Sequence, residues 1–276
     1  MKELIQGSGI ANRIRMLRDA HRGSFLLVEG DDDARLFSQY VHDTCKIQPA
    51  YGRPNTLEAV VALEATSTAG VCAVIDADFS RHKGELTTSK NVFWCDHGDL
   101  ECMLFLSPAL DSVLAEHTPN EDPADIRQEV VRLSFVVAAV RAVSEVRQLG
   151  LKFSCLNFEN FIDASTLTLS FRDLASELQQ ASRCGVIDIP DLEAHAQLVM
   201  SWCNKDKISL CRGHDLVKAL SLGLRRKWGS QSGGRITVET LERELRIGFS
   251  RLHCEKTELW SNLASWGTRN SPYRIV

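Results

Sequence analysis

The sequence LLVEGDDDARLF, residues 26–37, places four acidic residues within five positions at the end of a short apolar run. The four are Glu29, Asp31, Asp32 and Asp33. Carboxylates crowded in this way repel one another and destabilise a fold unless a cation neutralises them. The apolar residues at 24–28 predict a strand, and the residues that follow predict a helix with acids in its first turn.

Three further apolar runs of strand length lie at residues 45–52, 71–78 and 91–95, separated by segments with helical spacing. One of these segments is 55–65, for which Asn55 is the expected N-cap. Strands that alternate with helices predict an α/β fold with a parallel sheet flanked by helices. In such sheets the active site lies at the carboxyl ends of the strands, where residues 29–33 and 76–78 are expected.

The pattern changes after about residue 110. Residues 107–128 are polar and contain three prolines, which predicts a connection. The helices predicted beyond it cover 125–149, 171–183, 190–203, 213–227 and 237–266, the last as one long helix or a helix pair. We therefore expect a catalytic core over 1–118 and a mainly helical region over 119–276 for partner, dimer or substrate contacts, with a linker or exposed loop at 228–235.

The composition is that of a globular protein, with 276 residues, 44% hydrophobic and 25% charged, and a formal net charge of −4. This charge argues against a protein that coats nucleic acid through bulk positive charge, although a local basic groove stays open. The nine cysteines include no CxxC pair, so we expect buried reduced thiols rather than a zinc cluster. No apolar stretch approaches the ~20 residues of a membrane span, and the first residues lack the apolar core of a signal peptide. These features predict a cytoplasmic protein without membrane contacts.

A second acidic motif, IDADFS at residues 75–80, follows the most apolar of the predicted strands. Residues two apart on a strand point the same way, so Asp76 and Asp78 are expected to face Glu29 and Asp33 above the sheet. Carboxylate oxygens select Mg²⁺ or Mn²⁺ over zinc, which predicts a site for one or two such ions. The alternative is that the acids of 31–33 only complement the dipole of the helix that they begin.

Glu-Gly after the first strand and Asp-x-Asp after a later one resemble the TOPRIM fold of topoisomerases, primases and several nucleases. The resemblance is carried by four short motifs: VEGDDDARLF (28–37), VIDADF (74–79), HGDLECML (97–104) and CRGHDLVKAL (211–220). Together they are similar to the branch of overcoming-lysogenization-defect nucleases encoded beside ABC-type ATPases. That branch includes the effector nuclease of the PARIS anti-phage defence system.

The resemblance implies a role for each matching acid. Glu29 corresponds to the TOPRIM glutamate, a metal ligand that also serves as general base. Asp76 and Asp78 correspond to the metal-binding pair, and Asp33 to the additional acid of this branch. Glu101 corresponds to a glutamate that completes a second metal site, with a first-turn helix acid as the alternative. Asp31 and Asp32 are left as helix-start acids.

Other candidates are weaker. His214 stands where relatives carry a lysine, so a catalytic histidine and a structural one both remain open. Arg81 and Lys83 follow the Asp-x-Asp motif and could contact phosphate, and His97 could hold a water or a metal. The densest basic patch is a nucleic-acid-binding candidate or a solvated helix end, and it consists of Arg225, Arg226 and Lys227.

The function implied by the resemblance is a Mg²⁺- or Mn²⁺-dependent nuclease. It would be a toxic anti-phage effector that cleaves tRNA or another RNA, is controlled by an ABC-type ATPase partner and acts as a homodimer. Two alternatives remain, namely a degenerate TOPRIM module that only binds a partner and a DxD phosphohydrolase of the haloacid dehalogenase type. A topoisomerase is disfavoured because none of the three tyrosines lies in a recognisable cleavage motif.

Overall fold

The computed structural model describes residues 6–84, 89–182, 186–229 and 236–276. The chain packs into two compact units. The first consists of Met1–Leu100 together with Ser250–Val276, and the second of Glu101–Phe249. The domain boundary expected near residue 118 stays a prediction.

The first unit is built on a sheet of four parallel strands, which confirms the predicted α/β class. The strands are β1 (Ser24–Val28), β2 (Cys45–Pro49), β3 (Val71–Ile75) and β4 (Val92–Trp94). Their order across the sheet is β2-β1-β3-β4. After β1 the chain therefore moves to one side of the sheet and then returns to the other side, so the order reverses between β1 and β3. The carboxyl ends of β1 and β3 flank this switch point, where open α/β sheets bind their ligands.

The two central strands are the most apolar segments of the first unit. Every residue of β1 and of β3 is buried, as expected for strands covered by helices on both faces. In register, Leu26 of β1 lies beside Ile47 of β2 and Cys72 of β3. Each strand ends where its buried apolar residues end, and an acid, Glu29 or Asp76, is the next residue.

The α-helices of the described residues are given in chain order. They are α1 (Gly7–Arg18), α2 (Asp31–Phe37), α3 (Arg53–Ala65), α4 (Ser80–Lys83), α5 (Leu100–Leu106), α6 (Pro108–His117), α7 (Pro123–Val146), α8 (Phe171–Ser182), α9 (Ile189–Trp202), α10 (Gly213–Arg226), α11 (Val238–Gly248), α12 (Arg251–Cys254) and α13 (Glu258–Arg269).

Helix α3 begins two residues earlier than the sequence suggested. Its N-cap is Gly52, and Pro54 lies in the first turn, where its missing N–H costs nothing. Asn55 is therefore not the cap, and its Nδ2 donates instead to the carbonyl of Tyr51 at 3.3 Å. The earlier start makes Arg53 the first helical residue, directly beyond β2.

The C-terminal segment of the chain is part of the first unit. Trp266 of α13 is 1% exposed, and its Nε1 donates to Oδ1 of Asn91, just before β4, at 2.8 Å. The carboxylate of Asp96 accepts from the backbone N–H groups of Glu258 and Leu259 at 2.8 and 2.7 Å. The tail expected as one long helix or a helix pair is thus three helices, because the chain leaves helical geometry at Phe249 and Ser250 and again at Thr257.

The second unit is mainly helical, as predicted. Between α7 and α8 it has a 3-10 turn at Phe158–Asn160 and a two-stranded antiparallel pair, β5 (Ile162–Asp163) and β6 (Thr168–Leu169). The connection expected over 107–128 contains helix α6, which Ser107 caps by accepting from Ala109 N at 3.1 Å. The proline of SPAL thus begins a helix rather than preventing one.

Of the linker expected at 228–235, only Trp228 and Gly229 lie within the described residues. The ring of Trp228 packs on Gly223 of α10 so closely that a Cβ there would come within 2.0 Å of it. The eight described cysteines form no disulfide, and five of them are buried. This agrees with the expected buried thiols.

Candidate active site

Five carboxyl groups gather at the carboxyl edge of the sheet in the first unit. Each follows a strand of the sheet or begins the helix after it. They belong to Glu29, Asp33, Asp76, Asp78 and Asp99.

Glu29 is the residue directly after β1, and its side chain reaches across to the end of β3. Its Oε1 accepts the backbone N–H of Asp76 at 2.9 Å and lies 3.6 Å from Nε of Arg53. Burial raises the pKa of Glu29, and the like charges of Asp78 and Asp33 act in the same direction. The Asp76 N–H and Arg53 oppose this rise. Glu29 is therefore a carboxyl group that accepts a proton more readily than an exposed one.

Asp33 lies in the first turn of α2 and closes the turn that follows β1. Its Oδ2 accepts the backbone N–H of Gly30 at 2.8 Å. Burial raises the pKa of Asp33, the N–H groups of Gly30 and Glu29 lower it, and the charges of Asp32 and Asp99 raise it further. The neighbouring Asp32 is about half exposed and pairs with Arg35 at 2.8 Å. This agrees with the expectation that Asp32 is only a helix-start acid.

Asp76 and Asp78 follow β3, which ends at Ile75. They were expected to face one point because residues alternate along a strand, but both lie beyond the strand. Asp78 has a left-handed backbone with φ of 40°, and its N–H donates to the carbonyl of Gly98 at 2.8 Å. Left-handed backbone in a residue other than glycine is uncommon, and aspartate is among the residues that tolerate it. The turn, rather than strand alternation, sets the direction of the Asp78 side chain.

Asp99 and Cys95 follow β4, and the sequence interpretation singled out neither of them. Asp99 is 7% exposed, and its charge contributes to the raised pKa of Asp33. Cys95 is fully buried, and its Sγ donates to Oδ1 of Asp76 at 3.5 Å. Burial raises the pKa of Cys95 well above the ordinary thiol value, and the charges of Asp76, Asp33 and Asp99 add to this. Asp99 stands in HGDLE, the motif in which His97 and Glu101 were the predicted candidates.

Arg53 contributes a positive charge to the cluster, a role that was not predicted from the sequence. Its Nη2 donates to Oδ2 of Asp78 at 2.5 Å and to the carbonyl of Asp76 at 2.7 Å, while Nη1 donates to Oγ of Ser80 at 3.1 Å. The guanidinium carbon also lies 5.8 Å from the ring centre of Trp94. The sequence did offer one signal for this role. Arg53 directly follows the strand predicted at 45–52, and the carboxyl ends of parallel strands are where functional groups are expected.

The donors of the cluster fit a hard divalent cation in chemistry, because all five carboxyl groups offer oxygen. Four of them contact groups of the protein itself. Glu29 and Asp33 accept from backbone N–H groups, Asp76 accepts from the Cys95 thiol, and Asp78 accepts from Arg53. Within residues 6–84, 89–182, 186–229 and 236–276, no three His, Cys, Asp or Glu side chains are already arranged as metal ligands. Binding of a cation would therefore require rotation of side chains that the structure holds in other contacts.

The remaining candidates of the first unit lie nearby in sequence. Arg81 donates to the carbonyl of Cys95 at 2.5 Å, which ties α4 to the loop after β4. Lys83 is the last residue of α4 and is exposed, and His97 is half-buried in the loop before α5. The roles expected for Lys83 and His97 stay predictions.

The other candidates belong to the second unit. Glu101 lies in the first turn of α5. His214, at the start of α10, is 55% exposed, and its Nδ1 lies 2.9 Å from Oε1 of Glu242. At the other end of α10, Arg225 pairs with Glu159 at 2.7 Å, and the patch ends with the exposed Arg226 and Lys227. The roles proposed for these residues stay predictions.

Comparison with known proteins adds no relative from which function could be transferred. No protein-family model matches the chain, and no curated protein matches it in sequence. Among the described residues, no helix is long and apolar enough to cross a membrane. The functional interpretation therefore depends on the geometry of the cluster and on the motif resemblance.

Proposed function

We propose that the protein is a hydrolase that cleaves phosphodiester bonds with the help of divalent cations. More narrowly, we propose a nuclease of the TOPRIM type. The observation that carries this proposal is the gathering of Glu29, Asp33, Asp76, Asp78 and Asp99 at the switch point of a parallel sheet. A structural role alone does not account for five carboxyl groups there, since their mutual repulsion and partial burial cost stability.

The residues that would hold Mg²⁺ or Mn²⁺ are Asp76 and Asp78 together with Glu29, Asp33 and Asp99. Bound there, such ions supply activation of the attacking water and neutralisation of charge on the scissile phosphate. Glu29 contributes a carboxyl group with a raised pKa, which suits it to accept the proton of the attacking water. Its contact with the N–H of Asp76 keeps the side chain directed across the switch point.

The narrower identity depends on the motif resemblance. We propose that the substrate is RNA, with tRNA as the first candidate, and that an ABC-type ATPase partner restrains the activity until infection. The same resemblance supports an active homodimer and a role in anti-phage defence. It also keeps Glu101 and His214 as candidates for a second metal site and for transition-state contact.

A cleavage assay with matched variants tests the proposed activity. Purified protein is incubated with Mg²⁺ or Mn²⁺ and with tRNA, single-stranded RNA or DNA, and the cut ends are sequenced. We expect wild-type cleavage, and losses of about 100-fold or more in Glu29→Gln and Asp76→Asn, which keep side-chain size but remove charge. Asp32→Asn is the control from the same acidic stretch and should cleave as wild type does.

Two outcomes would contradict the proposal. Intact RNA and DNA under all these conditions, for a wild type that binds Mn²⁺, would favour the partner-binding module instead. Cleavage that survives both substitutions would place the activity elsewhere. In cells, RNA ends found with wild type and absent with Glu29→Ala would identify the substrate.

A further inference from the structure

Arg53 is held among the acids by the turn that precedes it. Gly52 has a φ of 115°, which side-chain-bearing residues rarely adopt, and its N–H donates to the carbonyl of Glu29 at 2.9 Å. The turn between β2 and α3 is thus tied to the residue after β1. Arg53 follows immediately, so its side chain begins beside the acid cluster.

The charge of Arg53 neutralises only part of the negative charge of the acid cluster. Five carboxyl groups belong to the cluster, and Arg53 contacts the carboxylates of two of them, Asp78 and Glu29. Its Nε is buried and has no hydrogen-bond partner among the described residues. Arg53 therefore places a positive charge against the carboxylates of Asp78 and Glu29.

The atoms that Arg53 contacts are the atoms that a divalent cation needs. A guanidinium and a divalent cation that share the same carboxylates repel each other strongly at such distances. When the carboxylates of Asp78 and Glu29 turn to a bound cation, Arg53 loses its two carboxylate partners and keeps only the neutral acceptors, the carbonyl of Asp76 and Oγ of Ser80. A partly buried arginine without an opposing charge is costly, and phosphate is an anion whose geometry matches the guanidinium fork.

We propose that Arg53 is a built-in counter-cation that competes with divalent cations for Asp78 and Glu29, and that it binds the phosphate of the nucleic acid once such cations are bound. This inference rests on the proposed nuclease function and adds a residue to it. The side chain is 23% exposed, so part of it faces solvent.

The experiment measures two quantities that the proposal moves in opposite directions. Mn²⁺ binding is titrated by electron paramagnetic resonance without nucleic acid, and cleavage of tRNA and of single-stranded DNA is measured at saturating Mn²⁺. For Arg53→Gln we expect Mn²⁺ to bind about tenfold more tightly, because a competing charge is removed. We expect cleavage to fall about 100-fold or more, because a phosphate contact is lost.

Two further variants separate this role from a structural one. Arg53→Lys keeps the charge but lacks the fork, so Mn²⁺ affinity should stay within about threefold of wild type while cleavage stays reduced. Arg35→Gln removes an exposed arginine of α2 that pairs with Asp32, and should change neither quantity. Melting curves of each variant establish that the proteins compared are folded.

The outcomes distinguish this inference from the proposed function. Unchanged or weaker Mn²⁺ binding in Arg53→Gln overturns the counter-cation role. Cleavage by Arg53→Gln at the rate of Arg35→Gln overturns the phosphate role. Tighter Mn²⁺ binding in Arg53→Gln, in a protein whose wild type cleaves no nucleic acid, supports the counter-cation role and overturns the nuclease function.

Discussion

Replacing Asp33 by asparagine should make the cation-free protein more stable at neutral and alkaline pH. Burial raises the pKa of Asp33 above its ordinary value of 3.8, so the folded state binds this proton more tightly than the unfolded state does. Between 3.8 and the raised pKa the folded protein carries more protons, and its free energy of unfolding falls as pH rises. Above the raised pKa the loss is complete.

The size of the effect follows from the number of protons involved. A single group changes the free energy of unfolding by at most about 1.4 kcal/mol per pH unit within that window. Asparagine carries no charge and keeps an oxygen that can accept the Gly30 N–H, which Asp33 accepts at 2.8 Å. The Asp33→Asn variant should therefore lose the part of the slope due to Asp33 and keep the part due to Glu29, whose pKa burial also raises.

Urea unfolding in the presence of EDTA, at several pH values between about 4 and 8, measures this slope. The transition is followed by tryptophan fluorescence, to which the first unit contributes three of the five tryptophans, Trp94, Trp260 and Trp266. Asp173→Asn, which removes an exposed first-turn acid of α8 in the second unit, is the control and should leave the slope unchanged. Parallel profiles for wild type and Asp33→Asn, or a less stable Asp33→Asn at pH 8, would refute the reasoning.

Three other predictions concern the cation and the packing of the first unit. Mn²⁺ at 100 times its dissociation constant should stabilise wild type by about 2.7 kcal/mol, which raises the melting temperature by roughly 5–10 °C. An equal rise in Asp76→Asn would contradict binding of Mn²⁺ at the cluster. Trp266→Ala should cost about 3–5 kcal/mol in urea unfolding because the ring is 1% exposed, whereas Trp202→Ala, at 77% exposure, should cost less than about 0.5 kcal/mol. Gly70→Ala should be more destabilising than Gly84→Ala by at least about 1 kcal/mol. Both glycines have a positive φ, but only at Gly70 would a Cβ meet a side chain, the ring of Tyr273 at 2.3 Å. Similar melting temperatures for the two variants would argue against this packing.

The local pattern of the sequence was enough to predict the central strands. The run at 24–28 matches β1 in both of its ends, because a buried parallel strand is apolar throughout and stops where polar residues begin. The same reasoning extended the strand at 71–78 past its end at Ile75. The reason is that Asp76 and Asp78 belong to a turn, and turn geometry at a non-glycine residue leaves little trace in composition.

The acids of the cluster were largely predictable, whereas their partners were not. Glu29, Asp33, Asp76 and Asp78 stand directly at strand ends, where the α/β fold itself places functional groups. Arg53 acts through a long side chain, and its contacts with Asp78 and Ser80 join residues 25 and 27 positions apart in sequence. The spacing of residues within a strand or helix covers only a few positions, so it does not predict contacts between residues this far apart in sequence.

The first unit is completed by residues from both ends of the chain. The second unit, Glu101–Phe249, is synthesised between the sheet and the segment Ser250–Val276, which contributes Trp266 and Tyr273 to the first unit. Domains usually fold as they are made, beginning with the N-terminal one. Here the second unit can fold during translation while the acid-bearing unit still lacks part of its core. The acid cluster therefore belongs to a unit that is complete only after residues 250–276 have been synthesised.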